Sequence, residues 1–248
     1  MINNKRFVFR PFLTLFCGLL IVVFLFLGTW QCLRVIEKET LQQSYDSKQR
    51  MPEQPLSDLI QQGIGGNDEM MVYRKVSASG TFEIDDAFYV DNVILDGKPG
   101  YLLHVPLRLE TGQVVLVNRG WVVADKTRGV LPDIVSSSLP VQVRGTLVAP
   151  RSKPVMLSDL PRPDLEQEGL WFYVDLEYLS HRLGTTVLPL VLELSPEDAL
   201  ALRVNPTQFD AKVGMHIGYA IQWYVFVLFV LMGYVSMSLR SKNQQSSE

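Results

Sequence analysis

The strongest candidate for a chemical role is a histidine inside a long uncharged segment. His216 is the fourth residue of the 27 uncharged residues from Val213 to Leu239. An ionisable side chain inside a membrane segment is costly enough to indicate function. On a helix, Tyr219, Ala220 and Trp223 follow on the same face, as an axial ligand to a planar macrocycle requires. The alternative is that His216 lies at the lipid headgroup level within an aromatic belt.

A second set of functional candidates ends the other uncharged segment. Trp30, Arg34 and Lys38 recur at intervals of four residues, so a helix places them in one stripe. The two cations could meet a carboxylate of a ligand, or they could extend to lipid phosphates.

A third candidate lies in the middle of the chain, where Asn118-Arg119-Gly120-Trp121 ends an apolar strand. Arg119 and Trp121 are residue types that anchor protein interfaces. The alternative is a β-bulge with a half-buried Trp.

Most enzyme classes and nucleic-acid binding are excluded by what the sequence lacks. There is no phosphate-binding Gly-rich loop, H-E-x-x-H, C-x-x-C or G-x-S-x-G, and no acid–base or nucleophile–base set is visible near the membrane interface. We therefore expect no enzymatic activity. From Val35 to Lys212 the chain has 17 Lys and Arg against 25 Asp and Glu, whereas phosphate binding requires clustered cations.

Two segments are long and apolar enough to cross a membrane. Pro11 to Leu33 has 23 uncharged residues and Val213 to Leu239 has 27, against about 20 needed. A cleaved signal peptide is the alternative for the first, but its apolar region exceeds the usual ~7–15 residues and ends without a small-x-small cleavage site. We therefore predict transmembrane helices at 12–33 and 213–239.

The charges beside these spans indicate their orientation. Lys5, Arg6 and Arg10 precede the first span, and Arg240 and Lys242 follow the second. The positive-inside rule then predicts a cytoplasmic N-terminus (1–11), a cytoplasmic tail (240–248) and a translocated domain (34–212). The segment before the first span is too short for an organelle transit peptide, which favours a bacterial inner membrane and a periplasmic domain.

The two cysteines cannot pair with each other within one chain. Cys17 and Cys32 lie about 22 Å apart on a continuous helix, beyond the ~7 Å Cα limit for a disulfide. The domain between the spans contains no cysteine, so it must be stabilised by its core.

The central domain is predicted to be β-rich, with a barrel or sandwich architecture between the two membrane helices. Asp96–Gly100 and Thr111-Gly112 predict hairpins between its central strands. Ser57 is expected to cap a short helix ending near Gly63, and Asp175 another that ends at Gly184. Residues 125–140 and 150–169 are expected to form surface loops. The predicted strands are Met71–Phe82, Phe88–Leu95, Tyr101–Leu109, Val114–Val123, Val141–Val148, Leu170–Val174 and Val187–Leu192.

The second span carries a possible packing motif. Gly214 and Gly218 form a G-x-x-x-G on the side opposite His216. We therefore expect the glycines to face the first span and His216 to face away from it.

Four segments resemble those of a known family. Gly28-Thr29-Trp30-Gln31-Cys32-Leu33-Arg34 with Lys38 is similar to its G-x-W-Q-x-x-R-x-x-x-K. Gly100-Tyr101, Pro106-Leu107 and Leu116–Val122 are similar to its central signature, and His216–Tyr224 is similar to its H-x-x-Y-A-x-x-W-[FY]. On these motifs the chain resembles the Surfeit locus protein 1 family of cytochrome c oxidase assembly factors. It departs from the family pattern at Glu37, at Val213–Met215 and at Val123, none of which is the expected ligand.

The resemblance implies a non-enzymatic role in building the haem-copper oxidase. It implies that His216 ligates the iron of haem a transiently, with Tyr219 and Trp223 as aromatic surroundings. Trp30, Arg34 and Lys38 would then face haem propionates or a partner. The implied partners are oxidase subunit I and the haem a synthesis machinery, besides membrane lipid.

Two alternatives remain open from the sequence. A scaffold could stabilise an oxidase intermediate through its β-rich domain, with Arg119 and Trp121 as anchors and no haem. A haem-modifying enzyme is the third reading, against which the missing catalytic constellation argues.

Overall fold

The computed structural model describes residues 5–62, 70–125, 131–133, 139–150, 169–204 and 209–241. The chain divides into two compact units. One comprises residues 1–45 and 209–248, and the other comprises residues 46–208. We describe each unit by itself.

The first unit is built on two apolar helices, α1 (Pro11–Arg50) and α4 (Val213–Ser238). Each is long and apolar enough to cross a membrane. Pro11 is the first residue of α1, where a missing N–H is tolerated and its fixed φ suits the helix.

Helix α1 continues beyond the end of its apolar segment. The good helix formers Arg, Glu, Lys, Gln and Leu predominate after Leu33 in spite of Asp46, and neither Gly nor Pro interrupts the helix until Pro52 follows Met51. The predicted limits of the span and of the domains remain predictions.

A short antiparallel ribbon joins the N-terminal end of α1 to the C-terminal end of α4. Strand β1 (Lys5–Phe7) pairs with β10 (Leu239–Ser241), with Arg6 opposite Arg240. The Val8 N–H also donates to the Ser238 carbonyl at 2.8 Å.

The second unit is a sheet-rich domain whose described strands close into a barrel. The strand order is β2-β3-β7-β9-β6-β5-β4-β8, and β5 pairs additionally with β3. Strands β3, β7, β9, β6 and β5 therefore form the closed wall. Their bounds, with those of the other elements of this unit, are β2 (Gln54–Pro55), α2 (Leu56–Gln61), β3 (Lys75–Phe82), a 3₁₀ turn (Ile84–Asp86), β4 (Phe88–Leu95), β5 (Lys98–Leu109), β6 (Val114–Val123), β7 (Pro140–Val148), β8 (Leu170–Trp171), α3 (Leu176–Leu183) and β9 (Val187–Leu194).

The core lies on both sides of this wall. One buried cluster takes residues from all five barrel strands, including Val76, Leu107, Val117, Val143 and Leu192, and so fills the interior. A second cluster, with Phe88, Leu116, Trp171 and Leu179, takes no fully buried residue from β3 or β7 and covers one outer face beneath α3. Strand β6 is buried on both faces, which explains its continuous apolar run.

Most sequence predictions for this domain are confirmed. The hairpins fall where expected, with Asp96 and Gly97 at φ 49° and 73° and Gly112 at 84°. Asp175 caps α3 by accepting from the Tyr178 N–H at 2.9 Å, and Gly184 ends the helix in the left-handed region. In the first unit, Cys17 and Cys32 are both free, as predicted. The 125–140 and 150–169 loops and Gly63 lie largely outside the described residues.

Three local predictions are wrong. Strand β3 begins at Lys75 because Met71–Tyr73 form a turn, with Tyr73 at φ 71°. Strand β8 is limited to Leu170–Trp171, the two residues that pair with β4. Ser57 does not cap α2, since the helix already begins at Leu56 and the Ser57 hydroxyl donates to Asp58 at 3.3 Å instead.

Candidate functional site

The structure brings His216 of α4 against Gln31 of α1. The distance from His216 Nδ1 to Gln31 Oε1 is 2.8 Å, and Gln31 is only 8% exposed. Because a carbonyl oxygen can only accept, His216 Nδ1 is the donor. In the neutral imidazole this leaves the lone pair on Nε2, which is the tautomer that a metal-ligating histidine with an outer hydrogen-bond acceptor adopts.

The rest of the His216 face packs against α1 through aromatic rings. Trp223 stacks on Phe24 with ring centroids 5.7 Å apart, and Phe226 lies 5.5 Å from Phe24. Ala220 and Val227 are buried on the same side of α4. Of the predicted face, His216, Ala220 and Trp223 therefore lie towards the other helix, whereas Tyr219 is exposed.

The predicted role of the α4 glycines is wrong. A Cβ added at Gly214 or Gly218 would meet nothing within 4 Å, so these residues do not face α1. The close approach is made at Gly28 of α1, where an added Cβ would lie 3.0 Å from the Tyr224 ring. Large aromatic side chains on α4 require the small residue on the opposite helix, which reverses the predicted orientation of His216.

The other candidates of this unit are more exposed. Tyr219 and Trp30 are each 45% exposed. Arg34 lies over the Trp30 ring at 5.7 Å and forms an ion pair with Glu37 at 2.6 Å. Lys38 is half-buried on the same helix. The stripe therefore forms as predicted, and its contact with propionates, a partner or lipid stays a prediction.

An open surface depression of about 660 Å³ adjoins the N-terminal end of α4. The residues just before α4 are held in place by a hydrogen bond, in which Gln42 Oε1 accepts from the Ala211 N–H at 3.1 Å. Lys212, the next residue, adopts φ 53°. The lining residues are Gln42, Phe209, Asp210, Lys212, Val213, Gly214 and Met215.

Arg119 is the extra residue of a β-bulge, as one of the two sequence interpretations proposed. Gly120 and Asn118 pair with the consecutive residues Leu103 and His104, so Arg119 has no opposite residue. Arg119 is 5% exposed, and its Nε donates to the Leu200 carbonyl at 2.9 Å. Burial lowers the pKa of this guanidinium, and Tyr89 and Asp198 oppose that effect.

Trp121 is buried more completely than expected, at 6% exposure. Its indole N–H donates to the Val93 carbonyl at 3.0 Å, and its backbone N–H donates to Arg203 O at 2.8 Å. The Arg119–Trp121 segment therefore holds residues 200–203 against the barrel. A partner contact at these two residues stays a prediction, and the contacts observed lie within the domain.

A polar row crosses the outer barrel face and was missed by sequence reasoning. His104, Asn118 and Glu193 occupy paired positions on β5, β6 and β9. His104 is 4% exposed, and its Nδ1 donates to Leu102 O at 3.3 Å. These residues line a cleft of about 430 Å³ together with Asp91, Phe172 and others. The available signal was polar residues within otherwise apolar strands.

Within the described residues, no group of three or more His, Cys, Asp or Glu side chains is arranged to hold a metal ion. The group at the helix pair that could ligate a metal is therefore the single imidazole of His216, which is oriented by Gln31 and lies beside aromatic rings.

Two apolar helices that precede and follow a barrel domain in the sequence, with an oriented histidine between the helices, define a class of two-helix proteins with a sheet-rich central domain. The model of the SURF1 family matches residues 18–228, and the chain belongs to this family. The resemblance found in the sequence motifs is thereby confirmed.

The chain is similar to proteins from distant organisms. It is 25% identical over 217 residues to a SURF1-like protein of Rickettsia prowazekii, covering 84% of this chain and 82% of that one. It is 23% identical over 253 residues to Surfeit locus protein 1 of Arabidopsis thaliana, covering 80% and 70%. Over 113 residues it is 32% identical to a Saccharomyces cerevisiae protein named cytochrome oxidase assembly protein SHY1, covering 45% of this chain and 28% of that one.

Proposed function

We propose that this chain is a membrane-anchored assembly factor for cytochrome c oxidase, which binds haem a as cargo at His216 and delivers it to oxidase subunit I. Membership of the SURF1 family supports the oxidase role, as does the similarity to the yeast cytochrome oxidase assembly protein. In this role the chain catalyses no reaction of its own, because the cargo leaves chemically unchanged. Its partners are subunit I and the machinery that synthesises haem a.

The observation that carries the haem proposal is the hydrogen bond from His216 to Gln31. It fixes the ring and leaves Nε2 as the ligating atom, as outer partners of metal-bound histidines do. Trp223 and Tyr219 provide aromatic surface for a macrocycle. Arg34 and Lys38 are the cations available to carboxylates of the cargo.

The membrane location is part of the same proposal. Both helices meet the length and composition needed for a span. Basic residues precede the first span and follow the second. By the positive-inside rule, both termini then lie in the cytoplasm and the barrel domain lies in the periplasm of a bacterial cell.

The test is the absorption spectrum of detergent-purified protein from cells that make haem a. Wild-type chain and His181→Ala are expected to hold haem, since His181 is exposed on α3 in the barrel domain. His216→Ala is expected to lose it. Equal haem content in all three proteins would refute His216 as the ligand.

A second candidate function is a scaffold that binds no haem and stabilises an oxidase intermediate through the barrel domain. The cleft lined by His104, Asn118 and Glu193 favours this function, because it offers a binding surface on the barrel domain itself. Two results together would favour this function over the first. The purified wild-type protein would contain no haem, and oxidase assembly in the same cells would still depend on the chain.

A further inference from the structure

The cleft lined by His104, Asn118 and Glu193 contains a buried amide group. Asn118 is only 8% exposed, and its Oδ1 accepts a hydrogen bond from the Gly120 N–H at 3.0 Å. The Nδ2 group of Asn118 makes no hydrogen bond to any residue that the structure describes. Buried side-chain donors in proteins are normally hydrogen-bonded, because leaving them unbonded is costly. The N–H groups of this amide are therefore available to an acceptor outside the chain.

Asn118 lies where two cavities meet. The cleft of about 430 Å³ and a neighbouring cavity of about 220 Å³ share five lining residues. The shared residues are Asn92, Val93, Leu102, Asn118 and Glu193. A ligand that reaches the Asn118 amide can therefore extend into both cavities along the barrel surface.

Aromatic stacking holds one side of the cleft in a fixed conformation. The His104 ring stacks on Phe88 with ring centroids 5.4 Å apart, and Phe88 stacks on Trp171 at 3.7 Å. All three side chains are buried. Because packing already fixes their rotamers, a ligand that binds beside them loses little affinity to side-chain ordering.

The charges beside Asn118 disfavour an anionic ligand. Glu193 is the register partner of Asn118 on the adjacent strand, and neighbouring strands lie about 4.8 Å apart. Both side chains therefore lie on the same face of the sheet, and Asp91 lines the same cleft. A phosphate or carboxylate that accepts from Asn118 would be held next to the Glu193 carboxylate, which repels it. We therefore expect the acceptor to be an uncharged carbonyl oxygen.

The other lining groups indicate what carries this carbonyl. Glu193 can accept hydrogen bonds at about four lone-pair sites of its carboxylate. A ligand with a carbonyl and an N–H can pair with Asn118 and Glu193 together, and the main-chain amides of a peptide supply this combination. Apolar surface for the peptide side chains is provided by Val93, Leu102 and the exposed ring of Phe172. Main-chain hydrogen bonds with neighbouring side-chain contacts are a recurring mode of peptide recognition.

We propose that this cleft binds an extended segment of a partner protein, in which a main-chain carbonyl accepts from Asn118 Nδ2 and the adjacent side chains are apolar. This inference rests on the second candidate function, in which the barrel domain holds an oxidase intermediate. It adds the chemistry of the bound segment and is independent of haem binding.

The test follows the side-chain amide of Asn118 by NMR in the full chain, purified in detergent with isotope-labelled asparagine. The signal is assigned by its absence from Asn118→Asp. The probe is acetyl-Leu-Val methylamide, an uncharged capped dipeptide. We expect this probe to shift the Asn118 signal in a saturable titration, whereas inorganic phosphate should leave it unchanged.

Three variants test the contacts, with probe affinity measured from the side-chain signal of Asn92 in the same lining. Asn118→Asp keeps the acceptor for the Gly120 N–H but removes the donors, so affinity should fall on the order of tenfold. Phe172→Ala removes apolar surface from an exposed position and should also weaken binding, without disturbing the buried core. Gln142→Glu makes the same amide-to-carboxylate change on the exposed surface of β7 and should leave the affinity unchanged.

Three outcomes would overturn the proposal. The first is an Asn118 signal that does not respond to the dipeptide, and the second is an unchanged affinity in Asn118→Asp. The third is phosphate binding as tight as dipeptide binding, which would show an anion site instead.

Oxidase assembly in cells that carry Asn118→Asp tests the underlying function separately. Reduced assembly would support both the peptide site and the scaffold function. Normal assembly, together with dipeptide binding that depends on Asn118, would support the peptide site and refute a scaffold function through this cleft.

Discussion

Gln31 and His216 are 185 positions apart in the chain, and their side chains meet at 2.8 Å. Gln31 Oε1 accepts a hydrogen bond from the Nδ1–H of His216, and Gln31 is only 8% exposed. A buried amide in an apolar helix requires a partner, so the pair also fixes the rotation of α4 about its axis.

Replacing Gln31 should weaken haem binding without removing the ligand. Gln31→Leu removes the acceptor for Nδ1, and loss of an outer partner of a ligating histidine reduces affinity by about 10- to 100-fold. Haem titration of the purified protein measures this affinity. Gln222→Leu is the matched control, because Gln222 is exposed on α4. Wild-type affinity in Gln31→Leu would contradict an orienting role.

The strands and turns of the barrel could be predicted because their signals are local. Short apolar segments rich in β-branched residues identify β4 and β6 at their observed bounds, and Gly97 and Gly112 mark the hairpins. Closure of the barrel rests on the pairing of Gly80 with Leu109, which no local pattern specifies.

The candidate site was only partly predictable for a similar reason. Residue type and position identify His216, but the direction of its helix face depends on the partner helix. The small residues at Gly214 and Gly218 suggested one contact face, whereas the aromatic side chains of α4 pack where Gly28 provides space. Gln31 belongs to the recognised motif, yet its role follows only from the pairing of the two helices.

Substitution of Gly28 should destabilise the packing of α1 against α4. In Gly28→Ala the new Cβ would lie 3.0 Å from the Tyr224 ring, so the ring must shift and packing should weaken by about 1 kcal/mol. Gly218→Ala has open space and should be neutral or slightly stabilising through helix propensity. Thermal unfolding in detergent compares them. Equal melting temperatures for the two variants would contradict the observed helix contact.

The two short helices of the barrel domain should respond differently to loss of a polar residue at their start. Asp175→Ala removes an observed N-cap and should cost about 1 kcal/mol of stability. Ser57→Ala should change stability by less than about 0.5 kcal/mol, because Ser57 donates only to the exposed side chain of Asp58. Urea unfolding followed by near-UV circular dichroism measures both. A larger loss in Ser57→Ala would restore it as a cap.

Tyr89 should make the barrel domain sensitive to alkaline pH. Burial raises the pKa of its phenol above the ordinary value of 10.0; Arg119 opposes this shift and Asp133 adds to it. Between the unfolded and folded pKa values the folded state binds more protons, so its stability is fully present below pH 10.0 and falls as pH rises through the folded pKa.

Tyr89→Phe isolates this contribution. At neutral pH the variant loses the hydrogen bond from the Tyr89 hydroxyl to Pro132 O, 2.8 Å in the wild type, and should be less stable by about 1 kcal/mol. Because Phe has no proton to lose, the difference between the two proteins should shrink as the pH rises above 10.0. Urea unfolding at a series of pH values provides the measurement. A difference that stays constant across the series would show that the Tyr89 phenol has the same pKa in both states.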